Sequence, residues 1–317
     1  MLDLAVSAVL LAGGYDAGRL LCTLSDDRID ESSGLVAGVR SDLLFTHNDS
    51  GDRARFFALD RTCRTRATYT LRGVQARDWE DVARGPGQTL WFADIGDNSQ
   101  TRDQGVLVHR VEEPIAGSPE RVTATSFRLR YEDGPHDAET LLVTPREGRV
   151  LVVTKTLGSR AGVYASDLPL RAGGAVNTLR LVAQVAVPLA TAGDLSPDGR
   201  RVAIRNGVAA YEWDVTGGDV VGAFAAEPVR VPLPRSAQGE SLTYDRDSRS
   251  LLVGSEGVGA AVHVLRRTAS RPAQASARPS AAPSVARRGW RVPLPLVAGA
   301  AGVLLLALLS QLRRRAR

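Results

Sequence analysis

The chain is poor in the residues that most catalytic classes rely on. Its 317 residues include two cysteines, four histidines and one methionine, with 5% aromatics. Two cysteines cannot build a disulfide scaffold, and no Cys/His spacing suits zinc. No G-x-S-x-G elbow, phosphate loop or G-x-G-x-x-G occurs, so a serine hydrolase or nucleotide enzyme finds no support. Lysine is nearly missing: among forty basic residues only Lys155 is not arginine. Arg and Ala enrichment of this kind fits a high-GC bacterial genome. A position indifferent to the choice would then carry Arg, so Lys155 marks a place that holds an ammonium rather than a guanidinium. Acidic residues are missing after Glu256, where eleven arginines lie between Arg266 and Arg317. Removing those eleven leaves 29 basic against 35 acidic groups in residues 1–265, a net of −6, with +11 in the tail. The pI of about 9.7 therefore belongs to the tail. No nucleic-acid partner is expected.

What is present is apolar: 44% of residues are hydrophobic, enough for a large core. Val292 to Leu312 runs 21 residues without a charge, the length of a bilayer span, and Arg313, Arg314, Arg315 and Arg317 follow it. Residues 268–291 are rich in Ala, Pro, Ser and Arg and read as an extended stalk. Leu4 to Ala12 is a short apolar run with Asp3 before it, which reads as a truncated signal segment over 1–18. The expected order is that segment, a folded domain over 19–267, the stalk over 268–291, a single transmembrane helix over 292–312 and a basic cytoplasmic tail over 313–317. The folded domain then stands on the extracytoplasmic side of the cell membrane. In that setting Cys22 and Cys63 either pair or remain two buried thiols.

A four-part pattern recurs five times between residues 19 and 266. Each unit opens with a polar or acidic cluster: Glu31-Ser-Ser-Gly-Leu35, Trp79-Glu-Asp-Val82, Asp137-Ala-Glu-Thr-Leu141, Gly193-Asp-Leu195 and Gly239-Glu-Ser-Leu242. A strand, a hairpin turn (GVRSD, RGPGQ, PREGR, SPDGR, DRDSR) and two or three further strands follow. The fifth unit lacks a fourth strand, while Leu20 to Leu24 precedes the first opening as a spare. The pattern predicts an all-β fold, a five-bladed β-propeller closed by that N-terminal strand.

In a propeller the loops before the first strand and after the second strand of each blade open on one face. The openings would bring Glu31, Asp78, Glu80, Asp81, Asp137, Glu139, Asp194 and Glu240 to an axial funnel. The second-strand ends would add His47, Asn48 and Asp49; Asp94, Asp97 and Asn98; Lys155; Arg205 and Asn206; and Glu256. So many carboxylates repel unless a cation joins them, and an oxygen-only set suits Ca²⁺. The expected cation ligands are Glu31, Asp49, Glu80, Asp81, Asp97, Glu139, Glu240 and Glu256. Asn48, Asp94, Asn98 and Arg205 are the candidates for ligand contacts, and His47, His136 and Lys155 for catalysis. Trp79 and Trp91 read as wedges between blades.

The openings E-S-S-G-L and W-E-D-V, with HNDSG leading to an apolar strand and FALD, resemble the SdiA-regulated propellers and the related esterase-like phytase domains of bacteria. The resemblance is densest over residues 28–110. It implies a five- or six-bladed propeller with a cation near the axis. Glu31, Glu80 and Glu240 would then hold axial carboxylate positions, with Asp49 and Glu256 beside them. Gly193-Asp194 and Asn206 depart from that pattern. The resulting expectation is a monomeric, membrane-tethered module binding a small molecule, a wall component or a protein through a Ca²⁺ funnel. The alternative is a metal-dependent hydrolase of a phosphoester or lactone.

Overall fold

A computed structural model describes residues 14–268. Residues 1–13, most of the expected stalk, the expected span and the tail lie outside the described residues. No helix among the described residues is long and apolar enough to cross a membrane.

The domain is all-β apart from one short helical turn. Strand β1 (Arg19–Thr23) comes first. A run of four follows: β2 (Ser32–Ala37), β3 (Leu44–Asn48), β4 (Arg55–Leu59) and β5 (Thr65–Leu71). The second run is β6 (Trp79–Gly85), β7 (Thr89–Asp94) and β8 (Val106–Glu112); then, after the two-residue β9 (Arg121–Val122), β10 (Thr125–Tyr131). The third is β11 (Ala138–Val143), β12 (Val150–Thr154), β13 (Ala161–Ser166) and β14 (Val176–Val185). The fourth is β15 (Ala192–Leu195), β16 (Arg201–Arg205) and β17 (Ala209–Asp214); after the helix α1 (Val220–Ala223) it ends with β18 (Val229–Pro232). The last is β19 (Gly239–Tyr244), β20 (Ser250–Ser255) and β21 (Ala261–Arg266), and its fourth place is taken by β1, antiparallel to β21.

Each run is an antiparallel meander, as its short turns require. In RGPGQ, PREGR and SPDGR the turn glycines 87, 148 and 199 adopt positive φ, and Ser248 does so in the fifth turn. Two pairings were not expected. β10 runs parallel to the start of β14, which fuses two runs into one eight-stranded sheet, and β9 adds to β5 in parallel.

The first strands of the runs pack side by side in a closed cycle, β2 to β6 to β11 to β15 to β19 and back to β2. These strands are almost wholly buried, whereas outer strands such as β14 alternate between buried and exposed. Apolar clusters fill the space between neighbouring runs. One joins Phe45, Phe56 and Val36 to Trp79, Val82 and Phe92; another joins Trp91 and Val108 to Leu141 and Val152. Trp79 and Trp91 are therefore wedges between sheets. The architecture is propeller-like, with its hydrophobic core distributed around an axis.

Three devices close the ring. β1 completes the last sheet; a disulfide joins Cys22 on β1 to Cys63 in the β4–β5 turn, with Cα atoms 5.6 Å apart. Buried Glu212 on β17 accepts hydrogen bonds from Tyr15 Oη (2.6 Å) and Tyr244 Oη (2.7 Å) and pairs with Arg267. Tyr15 and Arg267 also form a backbone bridge, so both ends of the described chain are tied to one carboxylate.

Candidate functional site: an axial carboxylate ring

The innermost strands carry their acids at irregular positions. Pairing register shifts between Trp79 and Asp81, between Ala138 and Thr140, and between Gly239 and Leu242. A bulge re-aims the side chain within it. Glu80, Glu139 and Glu240 each lie inside such a bulge, two residues before the leading hydrophobe of their strand. The same count places Ser33 and Gly193 on the other two strands. By this register Ser33, not Glu31, is the equivalent of Glu80, and Glu31 stands with Asp78 and Asp137 two residues earlier.

The tightest group is Asp49, Asp78 and Glu80, whose carboxylate oxygens lie within 4.8 Å of one another. Asp49 and Glu80 are buried and Asp78 is half-buried. Asp49 comes from the loop after β3, while Asp78 and Glu80 flank the start of β6. The loop 94–102 supports them. Buried Arg102 donates to Asp94 (2.8 Å) and to the Gly96 carbonyl (2.9 Å), and Asp94 accepts from the backbone N–H of Arg77 (3.0 Å) and Asp78 (3.3 Å). Gly96 lies directly against the pair: a Cβ there would meet Glu80 Oε1 and Asp78 Oδ2, so a larger residue would displace both carboxylates. The two carboxylates are thus seated on bare backbone.

The other half of the ring holds Glu139, Glu240 and Lys155. Lys155 follows β12 and forms an ion pair with Glu139 Oε1, while Glu139 Oε2 is buried with no hydrogen-bond partner. Gln238 donates to Glu256 beside Glu240.

Burial and crowding push these acids upward. Asp78 is raised to about 7 by desolvation and then by Asp49, Asp137 and Asp94. Glu80 is raised by burial, Glu139 and Asp49. Glu139 is raised by burial, which outweighs Lys155, and Glu240 is raised to about 7 by burial and Glu256. Burial pulls Lys155 down, but Glu139 and Glu240 hold its ammonium above its usual range. An all-oxygen, like-charged set of this kind fits a hard divalent cation.

The remaining expected residues are placed elsewhere or are already engaged. Asp81 is fully buried. Its oxygens accept from the backbone N–H of Val82 (2.8 Å), Leu141 (2.9 Å) and Gly193 (3.3 Å), which ties three innermost strands together. Asp194 does the same for β19, accepting from Tyr244 N (2.8 Å) and Thr243 Oγ1 (2.7 Å) and pairing with Arg84. Asp97 caps its own loop, accepting from the backbone N–H of Thr101 (3.0 Å) and Arg102 (2.8 Å). Asn48 donates to the Arg28 carbonyl (2.7 Å) and Asp52 (3.0 Å). Arg205 is buried beneath β19 and β20, donating to the carbonyls of Ser241 (2.9 Å) and Gly254 (3.1 Å), and burial lowers it to about 10. Asn98 is exposed, and Glu31 and Glu256 are half-buried.

The histidines do not join the trio. His47 is fully buried, edge-on to Trp79 (5.4 Å) and Phe92 (5.9 Å), and burial holds it neutral. His136 sits outside with Asp133 (2.9 Å) and the Tyr164 hydroxyl (2.9 Å).

Three contributors were not singled out from sequence. Asp78 was one of many funnel acids. Arg102 carried no signal beyond following the DIGDN motif, and Gly96 none beyond being its glycine.

No family model matches the chain, and no curated protein matches it in sequence. Among solved structures, a gluconolactonase of Xanthomonas campestris matches over 81% of this chain and 99% of its own, at 15% identity and a TM-score of 0.45. A candidate gluconolactonase from a structural-genomics programme covers 80% of this chain and 92% of its own at 13% identity, TM-score 0.44. A chain of the mitotic checkpoint complex covers 75% and 62% at 12% identity, TM-score 0.39. No residue role passes to this chain from likenesses this distant.

Proposed function

We propose that this chain is a five-bladed β-propeller whose axial ring holds a divalent cation, Ca²⁺ foremost, and hydrolyses a lactone or phosphoester there. The observation that carries this reading is the convergence of Asp49, Asp78 and Glu80 within 4.8 Å. Gly96 gives those carboxylates room, and Arg102 fixes the loop beneath them. Asp49, Asp78 and Glu80 would hold the cation, and three protein carboxylates leave positions of a six- to eight-coordinate ion for other oxygens. When bound, it supplies Lewis-acid polarisation of a carbonyl or phosphoryl oxygen. The chain's own part is to place the carboxylates: the bulges set Glu80, Glu139 and Glu240 at one register position on their strands. Since His47 and His136 lie elsewhere, a proton acceptor for water would come from the ring carboxylates outside the trio.

A second reading has its own support. The lack of a histidine at the ring suits a cation-dependent binding module that turns nothing over. The gluconolactonase named above acts on a lactone, which makes lactones the first substrates to try; it is not an argument for the assignment. Secretion is likewise a proposal: a Cys22–Cys63 disulfide suits an oxidising compartment, with the apolar stretch 292–312 as membrane anchor. The opening motifs E-S-S-G-L and W-E-D-V support kinship with SdiA-regulated and phytase-like propellers.

The test is a melting series of the purified full chain in EDTA and in Ca²⁺ or Mg²⁺, with a lactone and phosphoester panel. At a hundredfold excess over Kd a specific ion adds about 2.7 kcal/mol, or roughly 5–10 °C. The Ca²⁺ shift and any turnover should both vanish in Glu80→Gln. Turnover that persists in EDTA and in Glu80→Gln rejects the cation ring as the seat of hydrolysis. A cation shift with no turnover leaves the binding module.

A further inference from the structure

Three of the loops that follow second strands carry a feature that the ring chemistry does not use. The three most exposed large apolar side chains among the described residues are Leu157 (76%), Val258 (63%) and Val208 (59%). Each stands three residues past the end of a second strand: β12 ends at Thr154, β16 at Arg205 and β20 at Ser255. The same count gives Gly51 after β3 and Asp97 after β7. Scattered surface aliphatics are ordinary, but repetition at one register position in three consecutive runs is not scatter. Leu189 joins them, 36% exposed and held at a φ of 52°, a left-handed conformation that leucine adopts only at a cost in backbone energy. Its N–H donates to the Thr156 carbonyl (2.9 Å), and Asn206 Nδ2 donates to the Pro188 carbonyl (3.2 Å). Leu189 therefore bridges the loops that carry Leu157 and Val208.

This apolar arc adjoins the ring. Leu157 lies two residues after Lys155, which pairs with Glu139, and Val258 lies two residues after Glu256, whose charge acts on Glu240. The trio Asp49, Asp78 and Glu80 comes from the first and second runs. The corresponding loops of those runs expose polar groups and glycine, while their aliphatic residues Ala54 and Ile95 are buried. The mouth is thus polar over two runs and aliphatic over three. We infer that the substrate of the ring is an amphiphile, a lactone or phosphoester whose polar head meets the trio and whose aliphatic chain lies along Leu157, Leu189, Val208 and Val258. The inference rests on the ring chemistry proposed above. Four aliphatic side chains make a patch on the order of a few hundred Å², well under the roughly 800 Å² per partner of a stable protein interface. They suit a single chain of several carbons. Hydrolysis adds water across the C–O or P–O bond and leaves an acid and an alcohol; the chain sets affinity and takes no part in the bond change.

The experiment takes the full chain in Ca²⁺ through lactones from γ-butyrolactone to γ-decalactone and through linear alkylphosphonates, whose C–P bond is not hydrolysed. KM and the phosphonate Kd should each fall roughly two- to fourfold per methylene over the first several carbons. Leu157→Ser/Val208→Ser/Val258→Ser should flatten both series with an unchanged urea midpoint, since all three side chains are exposed. Leu189→Asn, which suits a left-handed backbone, should melt no lower than wild type and still lose affinity for long chains. A slope in phosphonate binding with no turnover keeps the amphiphile site and rejects hydrolysis. No slope in either series, or a slope that the triple variant keeps, overturns the inference; turnover in either case leaves the ring hydrolase standing. Sedimentation of wild type with phosphatidylcholine vesicles, lost in the triple variant and without a slope in either series, assigns the arc to a bilayer and overturns the inference too.

Discussion

Removing the Cys22–Cys63 crosslink should cost the domain about 4 kcal/mol. The bond spans 41 residues of sequence and joins the closing strand to the first run. It therefore restrains the unfolded chain while spanning the seam where first and last sheets meet. In the chain-entropy account a loop of that length is worth about 4 kcal/mol at 25 °C. Both residues are buried, so reductant has little access to the folded protein. The clean perturbation is Cys22→Ala with Cys63→Ala. Cys63 has a φ of 60°, and alanine carries the same left-handed cost, so backbone strain cancels in the comparison. Urea unfolding should show the loss, and the slope of free energy against urea should steepen, because the uncrosslinked unfolded chain exposes more surface. Melting should fall by roughly 8–16 °C for a domain of this size. The reasoning fails if the double variant loses under about 1 kcal/mol. It fails equally if both thiols of the unreduced wild type, once unfolded, react with a thiol label.

Two further outcomes are expected. Arg102→Met should destabilise by about 3–5 kcal/mol, since it leaves Asp94 as an unpaired buried charge; it should also weaken the Ca²⁺ shift through loop 94–102, and a variant with unaltered urea midpoint would refute this. His109 is buried, hydrogen-bonded through Nδ1 to Ser126 Oγ (2.8 Å), and lowered to about 4 by desolvation. Its folded pKa lies below the ordinary 6.5, so the unfolded chain binds the proton first, and stability is lost as pH falls from about 6.5 to about 4. The stability difference between wild type and His109→Asn should shrink across that interval by up to about 3 kcal/mol. A constant difference would show that His109 does not sense the burial described.

Much of the architecture was legible because strand formation is local. Turn glycines, short apolar runs and the five openings each mark an innermost strand or its hairpin, and the spare segment at Leu20 pairs where the missing strand was expected. The eight-stranded fusion through β10 and β14 was not legible, because parallel pairing at an outer edge depends on how far β14 extends beyond its hairpin. The site was legible as a population of acids and not as an arrangement. Asp81 and Glu80 are adjacent in sequence, yet the bulge between Trp79 and Asp81 separates their roles. Glu80 faces the ring, whereas Asp81 ties β11 and β15 through their backbone N–H groups. Asp97 was a plausible ligand by type but is consumed by its own loop. His47 was a plausible base by position but is enclosed by Trp79 and Phe92.

By itself the sequence determined the repeat, the strand order, the acids at the openings and the singular lysine, all of which are written in composition and spacing. Tertiary structure alone decided which carboxylates meet. Distances between loops of different runs follow from how the sheets close around the axis, and a single bulge turns a side chain toward the ring or into the wall. Pairing was decided there as well: Cys22 finds Cys63, Glu139 finds Lys155 and Arg102 finds Asp94 only once the ring is shut.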